Sequence, residues 1–130
     1  MSIDQNTSAS ILIVDDSAYI RTIMTTLLRK EGITNIHFAI DGASAIEKFK
    51  EVNPTLVVLD IMLPKKNGME VLKEIIVINP RAKVVMISSL ATPEFISDAQ
   101  KWGASYYFVK PYDNQKFISV VKELLNSTIS

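Results

Sequence analysis

Five short, mostly apolar runs recur along the chain, at Ile11–Val14, Ile36–Ala39, Leu56–Leu59, Val84–Ile87 and Tyr106–Val109. They are rich in β-branched residues, and their apolarity is continuous rather than alternating. Strands of this kind must hide both faces, which calls for a parallel sheet covered on each side. Between the runs the apolar spacing changes to that of helices. Ile20, Ile23, Met24, Leu27 and Leu28 keep one helical face, and so do Phe117, Val120, Val121, Leu124 and Leu125. Shorter stripes are Ala43, Ile46 and Phe49, then Met69, Leu72, Ile75 and Ile76, then Phe95, Ile96, Ala99 and Trp102. Strand and helix therefore alternate five times, which predicts a (βα)₅ α/β fold whose parallel strands are joined by helical crossovers.

Punctuation agrees with this reading. Asp41 and Thr92 are candidate helix N-caps, with Pro93 at a first helical position where its missing N–H costs little. Gly32 and Gly103 follow two helices as stops, and Asn53-Pro54 and Asn79-Pro80 mark turns before the next strands. At 130 residues the chain has the size of one domain. Residues 10–126 are expected to form it, with 1–9 as a loose N-terminal extension and 127–130 as a C-terminal tail.

Composition removes several function classes. Basic and acidic residues number 14 each, so no excess of positive charge exists to hold a nucleic-acid backbone. With no cysteine, disulfides, thiolate metal sites and cysteine nucleophiles are excluded. The N-terminal residues are polar and include Asp4, unlike a signal peptide, and no apolar stretch approaches the roughly 20 residues of a membrane span. The expected location is the cytoplasm, without a membrane partner.

The chemistry lies at the strand ends. Asp15 and Asp16 follow the first strand, Asp60 the third, Ser88 the fourth (with Ser89 beside it) and Lys110 the fifth. In an open parallel sheet this edge, near the reversal of strand order, is where ligands bind. Adjacent first and third strands would make the three carboxylates converge. Such a cluster repels itself and needs a cation, and an oxygen-only donor set suits Mg²⁺. The single histidine, His37, lies within a strand and reads as structural. A carboxylate can also attack a phosphoryl group to give an aspartyl phosphate. Lys110 and Ser88 would then hold phosphoryl oxygens. Taken singly, each residue has a plainer reading as a cap, a turn or a solvated loop. The information is in their joint placement.

With these residues in view, the chain resembles the response-regulator receiver family over about Ser10 to Leu125. The resemblance is carried by Ile11-Leu12-Ile13-Val14-Asp15-Asp16-Ser17 with Arg21, by Asp41-Gly42, by Asp60-Ile61-Met62-Leu63-Pro64 with Gly68, by Ser88 and by Lys110-Pro111. It implies that Asp60 is the phosphoacceptor, served by Lys110 and Ser88. It implies that Asp15, Asp16, Asp60 and the Met62 carbonyl hold Mg²⁺, Asp15 partly through water. It implies a doubly wound, flavodoxin-like five-stranded sheet in the order 2-1-3-4-5, a cis bond before Pro111, and Ser88 and Tyr107 as switch residues. Lys65, Lys66 and Asn67 depart from the commonest pattern at a place that bears on partner choice.

The implied function is two-component signalling. A sensor histidine kinase or histidine phosphotransfer protein would phosphorylate Asp60 and switch a surface made by the fourth helix, fifth strand and fifth helix. Glu94, Lys101, Tyr107 and Lys116 are expected on that face. The target would be a flagellar motor component or a relay protein, and the chain a monomer or a weak phosphorylation-dependent dimer. It would assist its own phosphorylation and dephosphorylation without being a turnover enzyme. Alternatives are a receiver portion of a larger DNA-binding or enzymatic regulator, a degenerate receiver that only scaffolds, and a flavodoxin-like cofactor binder. The last should carry a Gly-rich or Ser/Thr-rich phosphate loop after the first strand, where this chain has Asp15-Asp16-Ser17. An aspartyl phosphatase would need a second acid after Asp60, where Met62 stands.

Overall fold

The computed structural model describes residues 9–63, 67–89 and 92–127. Five strands, β1 (Ser10–Val14), β2 (Asn35–Ala39), β3 (Leu56–Asp60), β4 (Lys83–Ser88) and β5 (Tyr106–Val109), alternate with five helices. These are α1 (Ala18–Lys30), α2 (Gly42–Val52), α3 (Gly68–Ile78), α4 (Pro93–Lys101) and α5 (Asn114–Ser127). All neighbouring strands pair in parallel, as the alternation predicts, and they lie in the order β2-β1-β3-β4-β5 that the resemblance implies.

The apolar runs are continuous because successive side chains go to opposite layers. Ile11, Ile13, Leu56, Val58, Val85 and Ile87 face one core with Met24 and Leu28 of α1 and Phe117, Val120 and Val121 of α5. Leu12, Val14, Val57, Leu59, Val84 and Met86 face the other, with Phe49 of α2, Leu72 and Ile75 of α3 and Ala99 of α4. Each Val, Leu, Ile, Phe or Met side chain among them contributes about 1.5–3 kcal/mol through burial. Two-sided burial holds for β1, β3 and β4 but not for the edges, because β2 and β5 each have a neighbour on one flank only. Asn35 and Phe38 of β2 and Tyr106 of β5 are exposed.

Local signals set the helix starts. Asp41 caps α2 and Asn67 caps α3, each in a reciprocal capping box, and Thr92 caps α4 with Pro93 following. Gly32 and Gly103 take positive φ just past α1 and α4. Two expectations are corrected. Ala9 is buried against the α1/α5 core rather than loose, and Ser127 is the last residue of α5 rather than the start of a tail. The remaining expected termini, 1–8 and 128–130, fall outside the described residues, as do Pro64, Lys65 and Lys66. Trp102 is a third correction. Helical spacing places it in the core stripe of α4, but the helix ends at Lys101. The indole is 46% exposed with the Lys73 ammonium 4.4 Å above its ring.

One close approach positions the carboxylate edge. Gly68 opens α3 against the residues that end β3, and its N–H donates to the Ile61 carbonyl at 2.8 Å. A Cβ built there would lie 2.5 Å from Ile61 Cα and 2.7 Å from the Asp60 carbonyl oxygen, both backbone atoms. Gly68→Ala is therefore expected to cost about 1–3 kcal/mol in chemical denaturation, as overpacking of a rigid contact does. An unchanged denaturation midpoint would contradict that contact.

Candidate functional site: a carboxylate cluster at the sheet edge

The parallel sheet delivers Asp15, Asp16 and Asp60 to one place. One ligand oxygen from each lies within 4.8 Å of the others. Asp15 and Asp60 are almost fully buried and Asp16 is exposed. Asp15 is fixed by its main chain, whose N–H donates to the Ala39 carbonyl (3.1 Å) and whose carbonyl accepts from the Arg21 guanidinium (2.7 Å). Its Oδ1 accepts from the Ser17 N–H at 2.9 Å, while the Ser17 hydroxyl caps α1. Asp60 Oδ1 accepts from the Met62 N–H at 3.0 Å, and its Oδ2 faces the Lys110 ammonium at 3.6 Å, an ion pair rather than a hydrogen bond.

Lys110 and Ser88 are linked through the sheet, because the Lys110 N–H donates to the Ser88 carbonyl at 2.9 Å. The peptide bond between Lys110 and Pro111 is cis, as the resemblance implies. Ser88 is fully buried at the end of β4, whereas Ser89 is exposed. A hydrogen bond joins the Ser88 hydroxyl to the half-buried Tyr107 phenol. Burial pushes the phenol's pKa up and this bond draws it back. Of the residues expected on the output face, Glu94, Lys101 and Lys116 are exposed, while Tyr107 packs against the core beside α2, α3 and α4. Met62 presents its N–H to Asp60 and leaves its side chain 60% exposed.

Burial is the main cause that raises the pKa of Asp15, with the Asp60 and Asp16 carboxylates adding to it. The Ser17 N–H and the Lys110 ammonium oppose the rise. The donors are oxygens only, two of the acids are nearly dry, and one ammonium does not balance three carboxyl groups. Such a set fits a hard divalent cation with room for water. Two residues escaped the sequence reading. The Arg21 clamp on the Asp15 carbonyl was marked by its place in the opening motif but not by a role. Tyr112, whose phenol pKa is raised by burial first and by the Asp15 and Asp60 carboxylates after it, lies in a loop with no periodicity to mark it.

An acid whose folded pKa is raised favours folding below its unfolded pKa, and that contribution is lost as the pH rises through the folded value. Without divalent cation, wild-type stability should therefore fall across the window just above the ordinary carboxylate range. Asp15→Asn removes that loss and keeps an oxygen for the Ser17 N–H. The variant should melt higher than wild type at pH 7 in chelator. Mg²⁺ at ten times its Kd should add about 1.4 kcal/mol to wild type and clearly less to the variant, both read by thermal denaturation.

Comparison with known proteins agrees with this geometry. The response regulator receiver domain matches residues 11–122. The chain is 37% identical to the chemotaxis protein CheY of Bacillus subtilis over 116 residues, covering 89% of this chain and 97% of that one. It is 33% identical to the CheY of Thermotoga maritima over 114 residues, covering 88% and 95%. Among solved structures, a chain of the CheX–CheY–BeF3–Mg²⁺ complex from Borrelia burgdorferi superposes with a TM-score of 0.84. That pair shares 35% identity and covers 89% of this chain and 88% of that one. Gathered carboxylates, strand order and sequence thus lead to one place: the chain belongs to the response-regulator receiver domain family.

Proposed function

We propose that Asp60 accepts a phosphoryl group from the phosphohistidine of a sensor kinase or histidine phosphotransfer protein, and that the acylphosphate switches a protein-binding surface. The observation that carries this reading is the buried Asp60 carboxylate, with Met62 N–H on one oxygen and Lys110 Nζ 3.6 Å from the other. A carboxylate oxygen attacks phosphorus, the P–N bond breaks, and its electron pair leaves on the imidazole nitrogen. Asp15, Asp16, Asp60 and the Met62 carbonyl would hold Mg²⁺, which supplies positive charge to the phosphoryl oxygens when bound. Lys110 pairs with the charge that arrives at Asp60, and the Ser88 hydroxyl donates to a phosphoryl oxygen. Phosphorylation adds roughly −1.5 to −2 charges at this edge.

The route outward follows the covalent and hydrogen-bonded links already described. Ser88 shares its hydroxyl with Tyr107 and its carbonyl with Lys110. A hydroxyl drawn toward a phosphoryl group changes what it offers Tyr107, and the face of α4, β5 and α5 shifts between two populated states. Similarity to the CheY chemotaxis proteins favours a chemotaxis-type target such as a flagellar motor component, with a relay protein as the alternative. The chain acts as a phosphoacceptor that assists gain and loss of the group rather than as a turnover enzyme. It works as a monomer or a weak phosphorylation-dependent dimer. Cytoplasmic residence goes with this reading, and no described helix is long and apolar enough to cross a membrane.

Incubation with Mg²⁺ and a small phosphodonor should add the mass of one phosphoryl group. Asp60→Asn should abolish the gain, and chelator should suppress it in wild type. Lys110→Ala should keep the fold by circular dichroism and lose the phosphodonor-dependent change in partner binding. A mass gain that persists in Asp60→Asn would falsify the assignment of the acceptor.

A further inference from the structure

One helix end departs from the pattern of the others. α1 closes on Arg29-Lys30, α2 carries Lys50 and Glu51 in its last turn, and α4 finishes on Gln100-Lys101. α3 instead ends on Ile75-Ile76-Val77-Ile78. A turn that is apolar all round can bury only one side against the core. Ile75 is fully buried, and Ile76 packs on Gly103, where a Cβ would stand 3.0 Å from Ile76 Cγ1. Val77 and Ile78 are left 82% and 42% exposed. Neither stands alone. Toward α2 they border a groove of about 270 Å³, lined also by Ile46, Lys50, Lys73 and Glu74. Toward α4, Lys73 lies one turn before Val77 and holds its ammonium 4.4 Å from the centre of the exposed Trp102 ring. Ile46, Ile78, Val77 and Trp102 thus make one apolar strip across the ends of α2, α3 and α4. It lies at the opposite sheet edge from the carboxylates, since α3 starts beside Ile61 and runs away from it.

Single apolar side chains are ordinary on a surface, but a contiguous strip that includes an indole is how protein interfaces are built. Charge selects the occupant. Among the described residues, the groove's charged lining is Lys50, Lys73 and Glu74, and Glu74 already has an interaction within the chain. Two ammonium groups therefore dominate the outward charge. A second copy docked on the same face would set like charges against each other, whereas a carboxylate-bearing partner would satisfy them. The concave shape between α2 and α3 suits inserted side chains rather than a flat bilayer. We propose that the ends of α2, α3 and α4 form a docking surface for an acidic amphipathic helix of another protein. Its apolar side chains, at helical spacing, seat on Val77, Ile78 and Trp102, and its carboxylates meet Lys50 and Lys73. The strip is short, so the complex is a weak and transient one. This surface is separate from the carboxylate edge, and docking on it does not require phosphorylation of Asp60.

The probe is a synthetic peptide of about 18 residues, long enough to hold a helix, with Leu along one face and Glu along the other. A control peptide carries Lys in place of Glu. Titrated into the isotope-labelled full chain and followed by nuclear magnetic resonance, the Glu peptide should give saturable shifts at Lys50, Lys73, Val77, Ile78 and the Trp102 indole N–H. Binding should weaken as salt rises, and the Lys peptide should leave those signals in place. Val77→Glu changes an exposed position and should weaken the Glu peptide about tenfold or more. If that variant does not fold, Lys50→Glu, also on the surface, should weaken it in the same direction. No shift at millimolar peptide, shifts elsewhere on the chain, or equal response to both peptides would overturn the proposal. So would shifts of the strip with protein concentration alone, which mean self-association, or with anionic vesicles but not with peptide. A chain that binds the Glu peptide here yet takes up no phosphoryl group would refute the function proposed above and leave this surface standing.

Discussion

Mutual repulsion among three carboxyl groups is the constraint around which this molecule is organised. Left to themselves, Asp15, Asp16 and Asp60 would separate and hydrate. They stay within 4.8 Å because each is attached to a strand end whose position is set elsewhere. The attachment is mostly backbone: Asp15 N–H on Ala39, the Asp15 carbonyl on Arg21, Ile61 N–H on Ile87, and Lys110 N–H on Ser88. Two dry hydrophobic layers hold those strands, so the energy that keeps like charges together comes from Leu, Ile, Val and Phe burial some distance away. The edge is poised for a counter-charge, and a scaffold that does not depend on that counter-charge keeps it so. Both capping boxes and the Thr92 cap use neutral or local groups, which lets the helices beside the cluster start without help from any ligand.

Much of this was legible before coordinates. In a parallel (βα)₅ sheet every strand finishes on the same edge, so being the residue after an apolar run is already a three-dimensional address. That is why Asp15, Asp60, Ser88 and Lys110 could be grouped from sequence, whereas the strand order that pairs β1 with β3 came from the resemblance and not from the periodicity. Helix caps were readable for the same reason of locality, since Asp41 and Thr92 act within three residues of themselves.

What stayed hidden depended on neighbours rather than on period. Phe38 and Tyr106 look like core from their runs and are exposed because nothing pairs on their outer flank. Trp102 continues the spacing of α4 one residue past the place where the helix stops, and its ring goes to Lys73 on α3 instead. Tyr112 follows a cis proline in an irregular segment, where neither a 3.6 nor a 2.0 repeat indicates direction.

The absence of a side chain on Gly68 also has a mechanical meaning. With a Cβ there, α3 could not rest against the peptide that follows Asp60; without one, helix start and acceptor loop share a seam with no slack. Bodies in such contact translate together or not at all. A nudge delivered to the loop is then passed on through the first turn of α3 along its eleven-residue length toward Ile78. The far end of that helix becomes a lever whose fulcrum is a missing methyl group.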